Sequence, residues 1–431
     1  MKVAFCTLGC RVNVYESEAM TEKFIKAGYE VTSFDEESDV YVINTCTVTN
    51  MGDKKSRQMI SRARRKNPDA IIAVVGCYSQ IASEEVSNIE GVNVVLGTKN
   101  KGDIVFYVNK AREEKKQFVD VNDVLKNKHF EELKIEEYQD KTRAFLKIQD
   151  GCNRFCSYCL IPFARGAVCS KEPELILNEV KELAKNGFKE IILSGIHIAS
   201  YGVDLEGWSL IRVLEEVNRI DGIERIRIGS IDPTFFTDEV IEKISKLQKL
   251  CPHFHLSLQS GSDATLKRMN RHYTAQEYKL VLKKLRENIK NVSITTDVIV
   301  GFPGESEVEF EETYKFLNEI ELSKMHIFKY SPRKGTKAAD MMLQVDGNIK
   351  EKRSAKLIEL NSILEKKFMD KFIGQEMSVL FEEEMKGKEG YYVGYTPNYI
   401  KVIVESEVSL EGKILNVKLI EVENENMIGT I

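Results

Sequence analysis

The sequence contains no run of about 18 apolar residues, so a membrane span is not expected. Residues 1–9 read as a short strand with one Lys and lack the apolar stretch of a secretory signal, so a cytoplasmic location is the expectation. A decisive net charge is also missing. The 62 basic and 67 acidic residues leave −5, which argues neither for nor against a nucleic-acid partner. No internal repeat with a period of about 20–50 residues is evident. The nine cysteines are an odd number without a secretion signal, which speaks against a disulfide framework and for metal ligation or catalysis.

What is present fits a soluble α/β protein of two or three domains: 431 residues, 42% hydrophobic and 30% charged. Residues 3–7, 40–44, 71–75 and 92–96 read as short apolar strands separated by helices over 14–27 and 54–66. That alternation predicts a doubly wound parallel sheet within residues 1–125. From about residue 109 to 141 the pattern dissolves into charge and reads as a connecting segment. A second series then places strands at 144–149, 190–194, 225–229, 253–258, 293–300 and 325–330. Helices fall between them at 173–186, 210–219, 238–247, 275–288 and 307–319, with a last one at 351–372. Six such units predict a partial (β/α)6 barrel over 142–368. The tail, 371–431, has short strands at 377–381, 391–395, 400–404, 408–410 and 414–420, which predict a small all-β barrel or sandwich.

Residues 151–166 read GCNRFCSYCLIPFARG. Cys152, Cys156 and Cys159 stand in C-x3-C-x2-C spacing just past the first strand of the barrel series. Three thiolates on one loop can hold three irons of a [4Fe–4S] cluster and leave the fourth open to a small molecule. Zinc, the alternative metal, prefers four ligands, and no fourth Cys or His lies in the loop. The motif, with Tyr158 before its last cysteine, resembles that of the radical S-adenosylmethionine (SAM) superfamily. The resemblance implies that the open iron chelates SAM and that an electron from the cluster yields a 5′-deoxyadenosyl radical.

Three further cysteines follow predicted parallel strands, in TLGCRVN (Cys10), NTCTV (Cys46) and GCY (Cys77). Ligand sites in open α/β sheets lie at that end, so these residues are expected to converge. The three motifs resemble those of the methylthiotransferase branch of radical SAM enzymes. That resemblance implies an auxiliary [4Fe–4S] cluster, hence two clusters, and insertion of a methylthio group into substrate. It extends through LSGIHIASYG, HLSLQSGSD, MNRHYT, TTDVIVGFPGE and YSPRKGT to a tail similar to the RNA-contacting TRAM domain. Cys6, Cys169 and Cys251 read as ordinary core or surface.

The resemblance further implies a SAM site at Ser194 and Gly195, with Ser230, Gln259 and Asp297 near later strand ends and Arg271 able to pair with a carboxylate. Residues 301–304, GFPG, resemble the family's turn near the adenine. The basic helix bears Lys54, Lys55, Arg57, Arg62, Arg64 and Arg65 with no acid among them, which suits a tRNA anticodon stem-loop; a solvated helix face is the plain alternative. The tail, by contrast, has six basic and eleven acidic residues. Three branches compete: N6-threonylcarbamoyladenosine in tRNA, isopentenyl-adenosine in tRNA, and an aspartate of a ribosomal protein. Arg11-Val12-Asn13 and Tyr15-Glu16-Ser17 resemble the first; the acidic tail fits the third. An electron donor and a sulfur source would be needed, neither identifiable from sequence. A reading of a different class is a non-catalytic metal-binding RNA-binding protein.

Overall fold

A strand such as Val40–Thr45, buried at every position, must lie between two helical layers. The computed structural model describes residues 1–127, 129–135 and 142–431. In its first unit six parallel strands run in the order β2-β1-β3-β4-β5-β6. They are β1 (Lys2–Thr7), β2 (Glu30–Thr32), β3 (Val40–Thr45), β4 (Ile71–Gly76), β5 (Val92–Leu96) and β6 (Phe118–Asp120). Helices α1 (Arg11–Lys26), α2 (Asn50–Lys66), α3 (Cys77–Ile81), α4 (Ser83–Ser87) and α5 (Ile104–Glu114) connect them. One face buries Phe24, Val42 and Val75, the other Tyr41, Ile43 and Ile60.

The charged segment expected to be a linker is partly structured. Its first residues finish α5, and residues 118–120 add the edge strand β6 beside β5. Residue 128 and residues 136–141 of that segment lie outside the described residues.

The second unit contains β7 (Arg143–Asp150), β8 (Cys169–Ser170), β9 (Glu190–Gly195), β10 (Arg225–Ile228), β11 (His253–His255), β12 (Ser293–Val300) and β13 (Lys324–Lys329). Its helices are α6 (Ile161–Arg165), α7 (Pro173–Lys185), α8 (Leu210–Asn218), α9 (Asp238–Ser245), α10 (Asp263–Arg268), α11 (Ala275–Asn288) and α12 (Glu307–Ile320). Sheets β10-β9-β7-β8 and β11-β12-β13 are joined by the parallel bridges Ile226–Leu250 and Ile231–Leu256. Apart from the short antiparallel β8, this is an open barrel of parallel strands. Helix α13 (Gly347–Asp370) packs Leu357, Leu360 and Leu364 into the barrel's core. Tyr15 and Ala19 of α1 enter that core too, while Met20 and Phe24 of α1 face the first sheet. Helix α1 is thus shared, and it carries its N-terminus to the barrel.

The tail is a closed barrel in the order β14-β15-β16-β18-β17. Its strands are β14 (Glu376–Glu384), β15 (Tyr391–Tyr395), β16 (Lys401–Glu405), β17 (Ile414–Glu423) and β18 (Asn426–Thr430). The expected strand at 408–410 is instead a bend, and the barrel is closed by β18, which pairs with both β16 and β17. It docks beneath the larger barrel. Arg225 donates to Tyr395 O (2.8 Å) and Arg227 to Thr396 O (2.9 Å), and the Tyr399 ring stacks on His253 with centroids 4.6 Å apart. Among the described residues no helix is long and apolar enough to cross a membrane.

Candidate active site

Cys10, Cys46 and Cys77 each stand where a parallel strand has just ended: Cys10 caps α1, Cys46 follows β3, and Cys77 opens α3. Local chain geometry brings them together. Gly9 has φ +107°, and a Cβ there would stand 2.8 Å from Cys46 Cβ and 3.0 Å from its Sγ. Gly76 has φ +101°, and its Cβ would stand 2.6 Å from Asn44 Oδ1. Only glycine permits both the backbone and the approach. The Asn13 carboxamide donates to Leu8 O (2.7 Å) and Thr45 O (3.0 Å), fastening the Cys10 turn to the Cys46 strand. Burial pushes the Cys46 thiol up to about 11, with the charges of Cys77 and Cys10 adding to the shift. Burial also raises Cys77, against the lowering effect of Arg165.

The loop after β7 holds the second trio. Backbone N–H groups point at two of its sulfurs, from Arg154 to Cys152 Sγ (3.5 Å) and from Ile161 to Cys159 Sγ (3.4 Å). Arg271 Nη1 lies 3.4 Å from Cys156 Sγ. Burial raises Cys152 and lifts Cys159 to about 12, and the neighbouring Cys156 raises both. Tyr158 packs on Phe302 of the 301–304 turn, with ring centroids 6.3 Å apart, so that turn supports the cysteine loop from below.

Among the described residues no three Cys, His, Asp or Glu converge tightly enough to hold one metal ion. Iron–sulfur clusters make a different demand, because thiolates bind separate irons at the corners of a cage. Soft sulfur donors, N–H···S contacts and a nearby cation fit that demand for each trio. Thiols raised by burial must lose protons to bind metal, so ligation neutralises charge within the site.

The two trios are physically linked. Arg165, at the end of α6, is wholly buried and brings Nε within 3.3 Å of Cys77 Sγ. Its other nitrogens reach Asn13 Oδ1 (2.7 Å), both carboxylate oxygens of Glu16, and Asp150 (3.5 Å). Lys147 completes the network, 2.9 Å from Glu16 and 2.6 Å from Asp150. Burial alone would raise both carboxyls, but Arg165, Lys147 and the nearby lysines hold them well below the usual range.

A cavity of about 890 Å³ occupies the barrel interior and reaches from Gly9, Cys10 and Arg11 to Tyr399 of the closed barrel. Ser194, Gly195, Ser230 and Asp297 line it. Gln259 and Arg271 are not part of its lining. Gln259, in left-handed backbone at φ +72°, bonds through its main chain to Asp297 O and Ile299 N, stitching β12 to the loop after β11. Arg271 serves the cysteine loop and Asp232. Asp232 was not singled out by sequence. Burial would raise its carboxyl, but His197, with Nε2 3.8 Å away, hydrogen bonds from Thr234 and the nearby Arg271 hold it well below the usual range. Its only sequence signal is a position just past β10.

Of the six basic residues of α2 named above, three are already paired. Arg57 lies 3.1 Å from Glu85, and Arg62 and Arg64 pair with Asp35 and Glu90. Lys54, Lys55 and Arg65 are exposed, with no ion-pair partner among the described residues. The helix begins four residues earlier than expected and so includes Asp53. Arg333 reaches Thr47 Oγ1 (2.7 Å), Asn50 and Asp53, tying the start of α2 to the barrel.

Comparison with known proteins places these features. Residues 146–317 match the Radical SAM superfamily, residues 2–97 the Uncharacterized protein family UPF0004, and residues 370–431 the TRAM domain. The chain is 45% identical over 422 residues to the threonylcarbamoyladenosine tRNA methylthiotransferase MtaB of Bacillus subtilis, covering 97% of this chain and 94% of that one. Identity to the protein of the same name in Aquifex aeolicus is 42%, over 97% of this chain and 100% of the relative. A tRNA-2-methylthio-N(6)-dimethylallyladenosine synthase of Clostridium botulinum is 37% identical, with 98% and 95% covered. Among solved structures, the radical S-adenosylmethionine methyltransferase TsrM of Kitasatospora setae superposes with a TM-score of 0.58 at 13% identity, over 78% of this chain and 76% of that one, a likeness of fold.

Proposed function

The chain belongs to the radical SAM methylthiotransferase family, and on that premise we propose that it converts N6-threonylcarbamoyladenosine at position 37 of tRNA, next to the anticodon, to its 2-methylthio derivative. One observation carries the reading: two sets of three thiols are fastened together through Arg165, and Cys10 of one set lines the cavity that Ser194, Gly195, Ser230 and Asp297 also line.

In this reading Cys152, Cys156 and Cys159 hold the radical-generating [4Fe–4S] cluster, and Cys10, Cys46 and Cys77 a second one. Bound at the first trio, a cluster would supply one-electron reduction to SAM held there, and at the second trio a cluster would supply a site for sulfur. The protein's own residues bind and orient. Peptide N–H groups and Arg271 hold the loop sulfurs in place. Gly195, at the end of β9, lets a ligand approach the main chain, and Ser194, Ser230 and Asp297 offer hydrogen bonds across the cavity. Helix α2 positions the phosphates of the anticodon stem-loop while the target base is splayed out. An electron donor and a sulfur source complete the system, and a tRNA substrate places the work in the cytoplasm.

Mass spectrometry of tRNA nucleosides from cells with and without the gene tests this. The expected result is loss of 2-methylthio-N6-threonylcarbamoyladenosine while its unthiolated precursor accumulates. Loss of the isopentenyl counterpart instead, with the first nucleoside unchanged, overturns the substrate.

A further inference from the structure

We propose that Arg11 binds the carboxylate of the substrate's N6 substituent, an inference that rests on the threonylcarbamoyl reading above. That substituent ends in a carboxylate, ionised near neutral pH, and burying it without a cation is costly. Its pocket therefore needs a cation not already paired.

The cavity offers few. Lys324 lies 2.6 Å from Glu365, which lines the same space. His255 Nε2 lies 3.3 Å from Asp297. Burial, with the charges of Arg227, His255, Arg11 and His326, holds His253 far below its ordinary value, and burial lowers His326 as well. Beneath the cavity, Arg143 and Arg227 are bound to Glu382 and Glu190. Arg11 and Lys401 are left.

Arg11 has no carboxylate partner among the described residues. Its Nη2 donates to the Tyr399 hydroxyl at 3.3 Å, and the guanidinium lies 5.8 Å from the centre of the Phe145 ring. Both contacts are to neutral groups, and they leave N–H donors for a planar acceptor. Position separates the two candidates. Arg11 directly follows Cys10, so the turn that presents this thiol also presents the cation to the cavity. Lys401 belongs to the closed barrel, past the Tyr399 ring that stacks on His253. A dimethylallyl substituent carries no charge and would gain nothing from an unpaired guanidinium.

The test gives reconstituted holoenzyme three anticodon stem-loops: one with N6-threonylcarbamoyladenosine, one with its methyl ester, and one with isopentenyl-adenosine. For the unaltered enzyme, esterification should lower kcat/KM roughly 10–100-fold, the range of one charge-assisted contact. Arg11→Gln should show that loss on the acid and become indifferent to esterification, whereas Lys401→Gln should keep the full preference for the acid. If Arg11→Gln still prefers the acid, or the loss moves to Lys401→Gln, the assignment is overturned while the substrate reading stands. An unaltered enzyme that converts only the isopentenyl stem-loop overturns the substrate reading, and Arg11's role with it. Iron content and thermal unfolding report whether Arg11→Gln folds. If it does not, Arg11→Lys decides: it should still prefer acid to ester at reduced kcat/KM, because lysine keeps the charge without the planar fork. Unaltered kcat/KM, or no preference, overturns the role.

Discussion

Arg165 Nε lies 3.3 Å from Cys77 Sγ, and through that contact the loop of Cys152, Cys156 and Cys159 is fastened to the unit of Cys10, Cys46 and Cys77. The same side chain neutralises Glu16 and Asp150, both wholly buried. Removing one partner of a buried ion pair strands the other's charge, which costs about 3–5 kcal/mol. Arg165→Met should therefore lower unfolding stability by about that amount in urea titration. Iron analysis of the surviving fold should show selective loss toward about four irons per chain from about eight. A variant as stable and as iron-rich as the parent would remove Arg165 from this role.

The titrating groups predict a two-stage response to acid. His253 is buried neutral, its folded value far below the ordinary 6.5, so the unfolded chain takes up that proton first and stability starts to fall below about pH 6.5. Glu16 and Asp150 are likewise depressed, so their contribution is intact above the unfolded carboxyl range, about pH 4, and is lost as pH falls below it. Thermal unfolding across pH 8 to 2 should show both limbs. His253→Phe keeps a ring against Tyr399 and should flatten the first limb, with His326 leaving a remnant. An unchanged first limb in that variant would assign it elsewhere.

Much of this architecture was legible because apolar strands and amphipathic helices alternate, and because Cys10, Cys46, Cys77 and Cys152 fall directly after strands. Edge strands β2 and β6 escaped notice: each is three residues long, and β6 follows a charged stretch. Strand β18 opens on Asn426 directly after Asn424 and Glu425, while 408–410 looked apolar enough to replace it. Arg165, Asp232 and Arg333 act through partners tens to hundreds of residues away. No spacing rule carries that information. Arg11 stood inside a quoted motif, but only its unpaired state within the cavity gives it meaning.

Gly9 offers a separate test of the N-terminal trio. A side chain there is strained by positive φ, at about 1–2 kcal/mol, and drives into Cys46. Gly9→Ala should displace Cys46 and behave like Cys46→Ala: SAM cleavage in strong reductant is spared and methylthiolation is lost. Cys152→Ala should stop SAM cleavage itself. Were all three variants to lose cleavage alike, the division of labour between the trios would fail.

The basic helix can be examined the same way. Arg57, Arg62 and Arg64 already face Glu85, Asp35 and Glu90, so a phosphate must compete with an acid for each. Lys54, Lys55 and Arg65 have no such competitor among the described residues. Each lysine or arginine that neutralises a phosphate releases counterions and contributes about 0.7–0.9 to the slope of log K against log salt. Replacing Lys54, Lys55 and Arg65 together by Gln should thus lower that slope by about 2–3 for tRNA binding, measured by fluorescence anisotropy from 50 to 200 mM salt. The matching triple at Arg57, Arg62 and Arg64 should change it less, since losing each arginine also frees a carboxylate that repels the RNA only weakly through solvent. Because the exposed trio lies off the cavity, the preference for threonylcarbamoyl over isopentenyl stem-loops should be unchanged by either triple. Equal slopes for both triples would mean that the pairs open at no cost and the helix acts as one charged face; an unaltered slope in both would move the RNA contact off α2 altogether.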